Sequence, residues 1–155
     1  MANARIGSHP SHGFQVVEQI DTTGKQLEWK DSGKVFMCVQ NGTADVEIFL
    51  PQLSTEIAGW QAKFFLKTAA ANDFFITAYG SSGTSDVSTG DSDKILLTST
   101  FSTEDDAGVF ATAADSIQFV GGQSEASNFV EVITDGTSWY AFGYARAAED
   151  ILAPG

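Results

Sequence analysis

Two histidines stand three residues apart in "GSHPSHGF", His9 and His12, a spacing at which imidazoles can begin a metal site. No cysteine and no third histidine lies near them, so the pair reads as part of a polar segment and no metal is expected. Asp86, Asp91 and Asp93, in "SDVSTGDSDK", could offer oxygens to calcium, but the run lacks the spacing and closing glutamate of an EF-hand. "GSSG" at 80–83 does not form a nucleophile elbow, and no histidine follows His12 to serve as a base, which argues against serine hydrolysis. Glu104 and Asp106 are a pair of the type that glycoside cleavage uses, yet an acidic surface supplies such pairs without any catalysis. "VGGQS" carries two glycines without a phosphate-loop lysine and reads as a turn or bulge. The expectation is a protein that is not an enzyme, with no catalytic residue, no metal and no cofactor.

The composition narrows the partners. A formal charge of -12 works against nucleic-acid phosphates, whose affinity depends on Lys and Arg displacing counterions. Between Thr68 and Ala145 the one basic residue is Lys94, so the acidic surface belongs to the body of the fold. Such surfaces repel one another and keep free copies apart until a specific contact is offered. No apolar run is long enough to cross a bilayer as a helix, so no membrane partner is expected, and the start "MANARIGSHPSHGF" lacks the apolar core of a secretory signal, so synthesis in a cytosol is expected. Cys38, the one cysteine, sits in "KVFMCVQ" and reads as a small buried apolar side chain.

These residues need elements to position them, and the pattern supplies strands. With 155 residues and 43% hydrophobic content the chain suits one domain. Residues 1–13, with Gly7, Pro10 and Gly13, read as an extended arm. Short apolar runs follow: "FQVVEQI", "KQLEWK", "KVFMCVQ", "DVEIFL", "AKFFLK", "DFFITAY", "KILLTSTF", "GVFATA" and "SIQFVG". The turn signals "DTTG", "DSG" and "NGTA" suggest that the first four form a meander. "LPQLSTEIAGWQ" is a connector that holds at most one helical turn, and "YGSSGTSDVSTGDSDK" an exposed loop.

The last strand pair is "NFVEVITDGTSWYAFGYA", turned at Asp135 and Gly136. Tyr140, Phe142 and Tyr144 share one face, Trp139, Ala141 and Gly143 the other, so both faces are partly apolar and a neighbouring subunit is expected to cover one of them. Trp139, Phe142, Phe129, Phe119 and Phe75 are expected in buried packing. The fold class is all-β, an antiparallel β-sandwich or jelly roll of about ten strands over residues 14–145, with residues 146–155 as a tail or short helix.

The order "VFMCVQNGTADVEIFLP", "GWQAKFFLKTAAANDFFITAYG", "DKILL", "DSIQFVGG" and "NFVEVITDGTSWYAFG" resembles a β-domain of tailed-bacteriophage virion proteins, found in head decoration (cement) proteins and in fibre or tail-spike modules. Leu50, Pro51, Gly59, Asp135, Gly136, Thr137, Trp139 and Tyr140 carry the likeness, which spans roughly residues 35–145. "DGTSWY" is its most specific piece, and the loop at 80–93 is longer than the compact pattern needs. The resemblance implies a capsid decoration protein on the outer surface of a phage head, bound to the major capsid protein and forming a homotrimer. The alternative is a receptor- or glycan-binding fibre module, which would ordinarily come with a shaft or anchoring domain that this chain does not display. Under the decoration reading Arg5, Ile6, His9, Pro10 and His12 are the expected capsid contacts, with Arg5 the cation and Ile6 the apolar anchor of the arm.

Overall fold

The computed structural model describes residues 16–40, 42–80, 91, 94–101, 110–147 and 149–154. The expected arm, the tip of the long acidic loop and the pair Glu104 and Asp106 lie outside them. Twelve strands are present among the described residues: β1 (Val17–Ile20), β2 (Lys25–Gln26), β3 (Val35–Cys38), β4 (Val46–Phe49), β5 (Gln61–Leu66), β6 (Phe74–Thr77), β7 (Ile95–Phe101), β8 (Phe110–Ala114), β9 (Ser116–Phe119), β10 (Phe129–Thr134), β11 (Trp139–Ala145) and β12 (Ile151–Leu152). They form a seven-stranded sheet in the order β1-β3-β5-β10-β11-β7-β8 and a five-stranded sheet in the order β12-β9-β6-β4-β2. The all-β sandwich expected from the pattern is the observed class.

The pairing differs from a purely antiparallel sandwich. β1, β3 and β5 are parallel neighbours in one sheet, and β2, β4 and β6 are parallel neighbours in the other. The first six strands therefore alternate between sheets in a three-turn coil instead of forming a meander. The turn glycines show why: Gly24 gives its N–H to the Glu47 carbonyl (2.7 Å) and Gly33 to the Gln61 carbonyl (2.7 Å). Each turn is thus tied to the next lap of the coil, and each strand of one sheet is the crossover that a parallel pair in the other requires. The remaining strands pair antiparallel, β10 with β5 and β11, β8 with β7, and β9 with β6 and β12, except that β11 lies parallel to β7.

Inward residues follow the period of two. Phe36, Phe64, Val130, Val132, Trp139 and Ala141 from the larger sheet meet Ile48, Phe74, Ile76, Ile117 and Phe119 from the smaller one, all buried. Phe36 stacks on Phe64 (5.2 Å between centroids), and Phe74 meets Phe119 at an angle (6.4 Å). Cys38 is buried as expected, and burial pushes its thiol well above the usual range.

Two expectations are corrected by this packing. Phe142 is 55% exposed and Phe129 only half-buried, whereas Trp139, Phe119 and Phe75 are buried. The cause is alternation, because a strand that buries Trp139, Ala141, Gly143 and Ala145 must turn Phe142 outward. The segment read as a tail supplies β12, pairing Ile151 with Phe119 and Leu152 with Gln118. It is held by Asp150, whose carboxylate accepts from Asn128 Nδ2 (2.9 Å) and the Ala147 N–H (3.2 Å), and whose carbonyl accepts from the Ser124 hydroxyl and the Val120 N–H. The connector before Gly59 contains one 3₁₀ turn, Thr55–Ile57, as expected; in "KQLEWK" only Lys25–Gln26 form a strand, and its last two residues enter a second 3₁₀ turn, Trp29–Asp31.

Candidate functional site

The outer face of the seven-stranded sheet is built in three rows by strand register. The first runs Met37, Phe65, Phe129, Tyr144 and Thr100, and the second Val35, Lys63, Glu131, Phe142 and Thr98. The third runs Gln61, Ile133, Tyr140 and Leu96. Phe142 (55%), Tyr144 (43%), Tyr140 (37%) and Ile133 (37%) are exposed large apolar side chains on adjacent positions of β10 and β11. A Phe turned outward on a strand is ordinary; four large apolar residues gathered on one pair of strands mark a contact surface.

The rings have a defined posture. Phe65 stacks on Phe129 with centroids 5.1 Å apart and planes at 27°, and Phe129 stacks on Tyr144 at 5.9 Å and 22°. This ladder across β5, β10 and β11 uses ring faces against each other. Beside it Lys63 and Glu131 form an ion pair at 3.2 Å, the only charged residues in the three rows. Both are about two-fifths exposed, so the pair contributes little to stability, and its effect is to leave the face neutral. A shallow cleft of about 190 Å³ adjoins it, lined by Gly33, Lys34, Gln61, Ala62, Lys63 and Glu131.

The turn at one end of this face is fixed by the residues that carry the resemblance. Asp135 Oδ1 accepts from the Thr137 N–H (2.8 Å), the Thr137 hydroxyl (2.7 Å) and the Ser138 N–H (2.9 Å), while Oδ2 accepts from the Tyr140 hydroxyl (3.0 Å). The bonds from Thr137, then those from Ser138 and Tyr140, hold the Asp135 carboxyl well below the usual carboxylate range. The same carboxylate raises the Tyr140 phenol. Gly136 has φ of +92°, and a Cβ there would lie 2.7 Å from the Ser54 carbonyl oxygen. The Asp135, Thr137 and Tyr140 side chains of "DGTSWY" are thus engaged within the turn, and the motif's work is to orient Tyr140 and the strand that bears Phe142.

Other clusters have internal partners. Glu18 joins Lys25 and Lys34 (2.9 Å), and Lys34 also reaches Asp31 (2.6 Å). Bonds from Lys25 and then Lys34 lower Glu18, and those from Asp31 and Glu18 raise Lys34. Asp31 is pushed up by burial, but bonds from Lys34 and the Glu28 N–H outweigh that and leave it lowered. Asp91, the described member of the aspartate trio, spends Oδ2 on the Leu53 N–H (2.7 Å). Gly121 of "VGGQS" sits against the Asn72 backbone, where a Cβ would approach to 2.6 Å, which accounts for the glycine without any ligand. Among the described residues no three His, Cys, Asp or Glu side chains gather as a metal set.

Of the residues singled out from the sequence, the structure brings Phe129, Tyr140 and Phe142 onto the face, places Asp135 and Gly136 at its end and puts Trp139 beneath it. Arg5, Ile6, His9, Pro10 and His12 lie outside the described residues. Met37, Phe65 and Lys63 carry no signal of their own in the sequence, because only the register of β3, β5, β10 and β11 sets them beside Tyr144 and Glu131. No family model, curated protein or solved structure matches this chain.

Proposed function

We propose that the chain is a virion structural protein, a decoration protein that binds the outer surface of a tailed-phage head and stabilises the shell. The observation that carries this reading is the neutral aromatic face on an otherwise acidic sandwich, a surface suited to standing in register with other proteins. The "DGTSWY" turn supports it by resemblance. The polar groups that could have argued for chemistry, Asp135, Asp31 and Asp150, are committed to holding turns and strands. A glycan-binding fibre module is favoured less, since sugars stack on open ring faces and the rings of Phe65, Phe129 and Tyr144 cover one another. In this proposal Arg5 and Ile6 of the N-terminal segment fasten the domain to the major capsid protein.

The test is to mix the purified protein with undecorated heads and pellet them. Saturable co-sedimentation at hundreds of copies per head, with a raised threshold for heat or chelator disruption of the shell, is expected. Saturation at a few tens of copies would point to a fibre position, and no binding would sink the proposal.

A further inference from the structure

We infer that the outer face of the seven-stranded sheet is a self-association surface, and that its occupant is the same face of a second copy of this chain. The inference rests on the reading above only in taking the chain for an assembly component. Failure to bind heads leaves it standing, and failure to self-associate in solution leaves head binding open to its own test.

Charge selects the occupant. The molecule carries -12, so a second copy is repelled wherever two ordinary surfaces meet. The three outer rows are the exception, because Lys63 cancels Glu131 and every other member is uncharged. A strongly basic partner would gain nothing from a neutral face; an acidic one is accepted there and nowhere so well. The pair also suits a self-complementary contact, in which each copy can set its Lys63 against the other's Glu131.

Area is consistent with this. At roughly 200 Å² per large side chain, the exposures of Phe142, Tyr144, Tyr140 and Ile133 leave about 300–350 Å² of apolar surface in one patch. The half-buried Met37, Phe65, Phe129 and Leu96 extend it towards the ~800 Å² per partner of a standard interface. Two such sheets pack face to face about 10 Å apart with side chains interleaved. A ladder whose rings stack on one another suits interleaving better than it suits stacking on a flat ligand.

The experiment is analytical ultracentrifugation of the full chain over a concentration series, with hydroxyl-radical footprinting of the same samples. A dimer at micromolar concentration is expected, since a face set against its own copy closes at two chains, with Phe142, Tyr144 and Tyr140 oxidised less as concentration rises. Phe142→Glu should weaken association at least about tenfold while circular dichroism stays unchanged, and melting too at dilutions where the parent is monomeric, since the residue is exposed in the single chain. Lys63→Glu and Glu131→Lys should each weaken it, and the double exchange should restore it. Raising salt from about 20 to about 300 mM should strengthen association by screening the acidic surfaces. The inference is overturned by a monomer throughout the series, by a closed trimer, by a dimer indifferent to Phe142→Glu, by footprints that do not change with concentration, or by Phe142-dependent binding of a soluble polysaccharide to a chain that stays monomeric.

Discussion

Trp139 meets Trp60 edge to face, ring centroids 5.3 Å apart with planes at 83°. Trp60 is itself anchored, its Nε1 donating to the Glu28 carbonyl at 3.1 Å. The contact joins β11 to the residue just before β5, and so joins the last hairpin of the larger sheet to the coil of the first six strands. Trp139→Ala empties the largest fully buried side chain and should cost about 3–5 kcal/mol, a large part of a domain's ordinary margin. Urea unfolding checks it. A variant as stable as the parent would mean that the hairpin is not coupled to the coil.

Gly136 is required twice over, by its φ of +92° and by the Ser54 carbonyl oxygen, which lies 2.7 Å from where a Cβ would stand. Gly136→Ala therefore combines left-handed strain with a backbone clash, and a loss of about 1–3 kcal/mol is expected. Gly42, whose nearest Cβ contact would be 3.9 Å away, is the control, and Gly42→Ala should cost far less in the same melts.

Asp135 gives the fold an acid-sensitive turn. Its folded value is depressed below the unfolded value of about 3.9, so its contribution is fully present above that pH and is lost as pH falls towards the folded value. Asp135→Asn should lower the melting temperature at neutral pH, and the gap from the parent should narrow steadily below about pH 4. A gap that stays constant down to pH 2 would show that the carboxylate's charge is not what holds Thr137, Ser138 and Tyr140.

The strands are legible in the sequence because burial on one face imposes a period of two, which survives in "FVEVIT" and "WYAFGYA" without any tertiary knowledge. The alternation of Trp139 with Phe142 even assigns them to opposite faces. What it cannot assign is which face meets the second sheet, and the size of Phe142 alone points, wrongly, to the core. Parallel pairing of β1, β3 and β5 is hidden because residues 28 apart, such as Val35 and Lys63, carry no local signal of adjacency. The same blindness conceals the ring ladder, whose members Phe65 and Phe129 lie on strands far apart in the chain. β12 escapes a reading by pattern since two residues are too few to show a period, and the clue is an acid, Asp150, just before the apolar pair Ile151 and Leu152.

Cys38 should behave as a reporter of unfolding. It is fully buried with its thiol pushed up, and reaction needs an accessible thiolate. Under native conditions a thiol reagent should label it only as fast as the domain opens, and labelling should become immediate in denaturant. Rapid stoichiometric labelling of the native protein would mean that the edge formed by β1 and β3 opens locally.

Asp150 is expected to govern the smaller sheet's edge. Asp150→Ala removes the acceptor for Asn128 Nδ2 and the Ala147 N–H in a buried setting, and an unsatisfied buried donor costs about 1–3 kcal/mol. The backbone bonds of Asp150 to Val120 and Ser124 survive the substitution, so the strand loses its clamp and not its pairing potential. The loss should therefore be local before it is global. Hydrogen exchange followed residue by residue should show Ile151, Leu152, Phe119 and Gln118 losing protection in the variant, while Phe36, Phe64 and Val130 exchange at rates set by the remaining global stability. If protection falls equally in both sheets, β12 is part of the cooperative core and Asp150 clamps the whole sandwich; if it does not fall at all, the carboxylate is dispensable and Asn128 finds another acceptor.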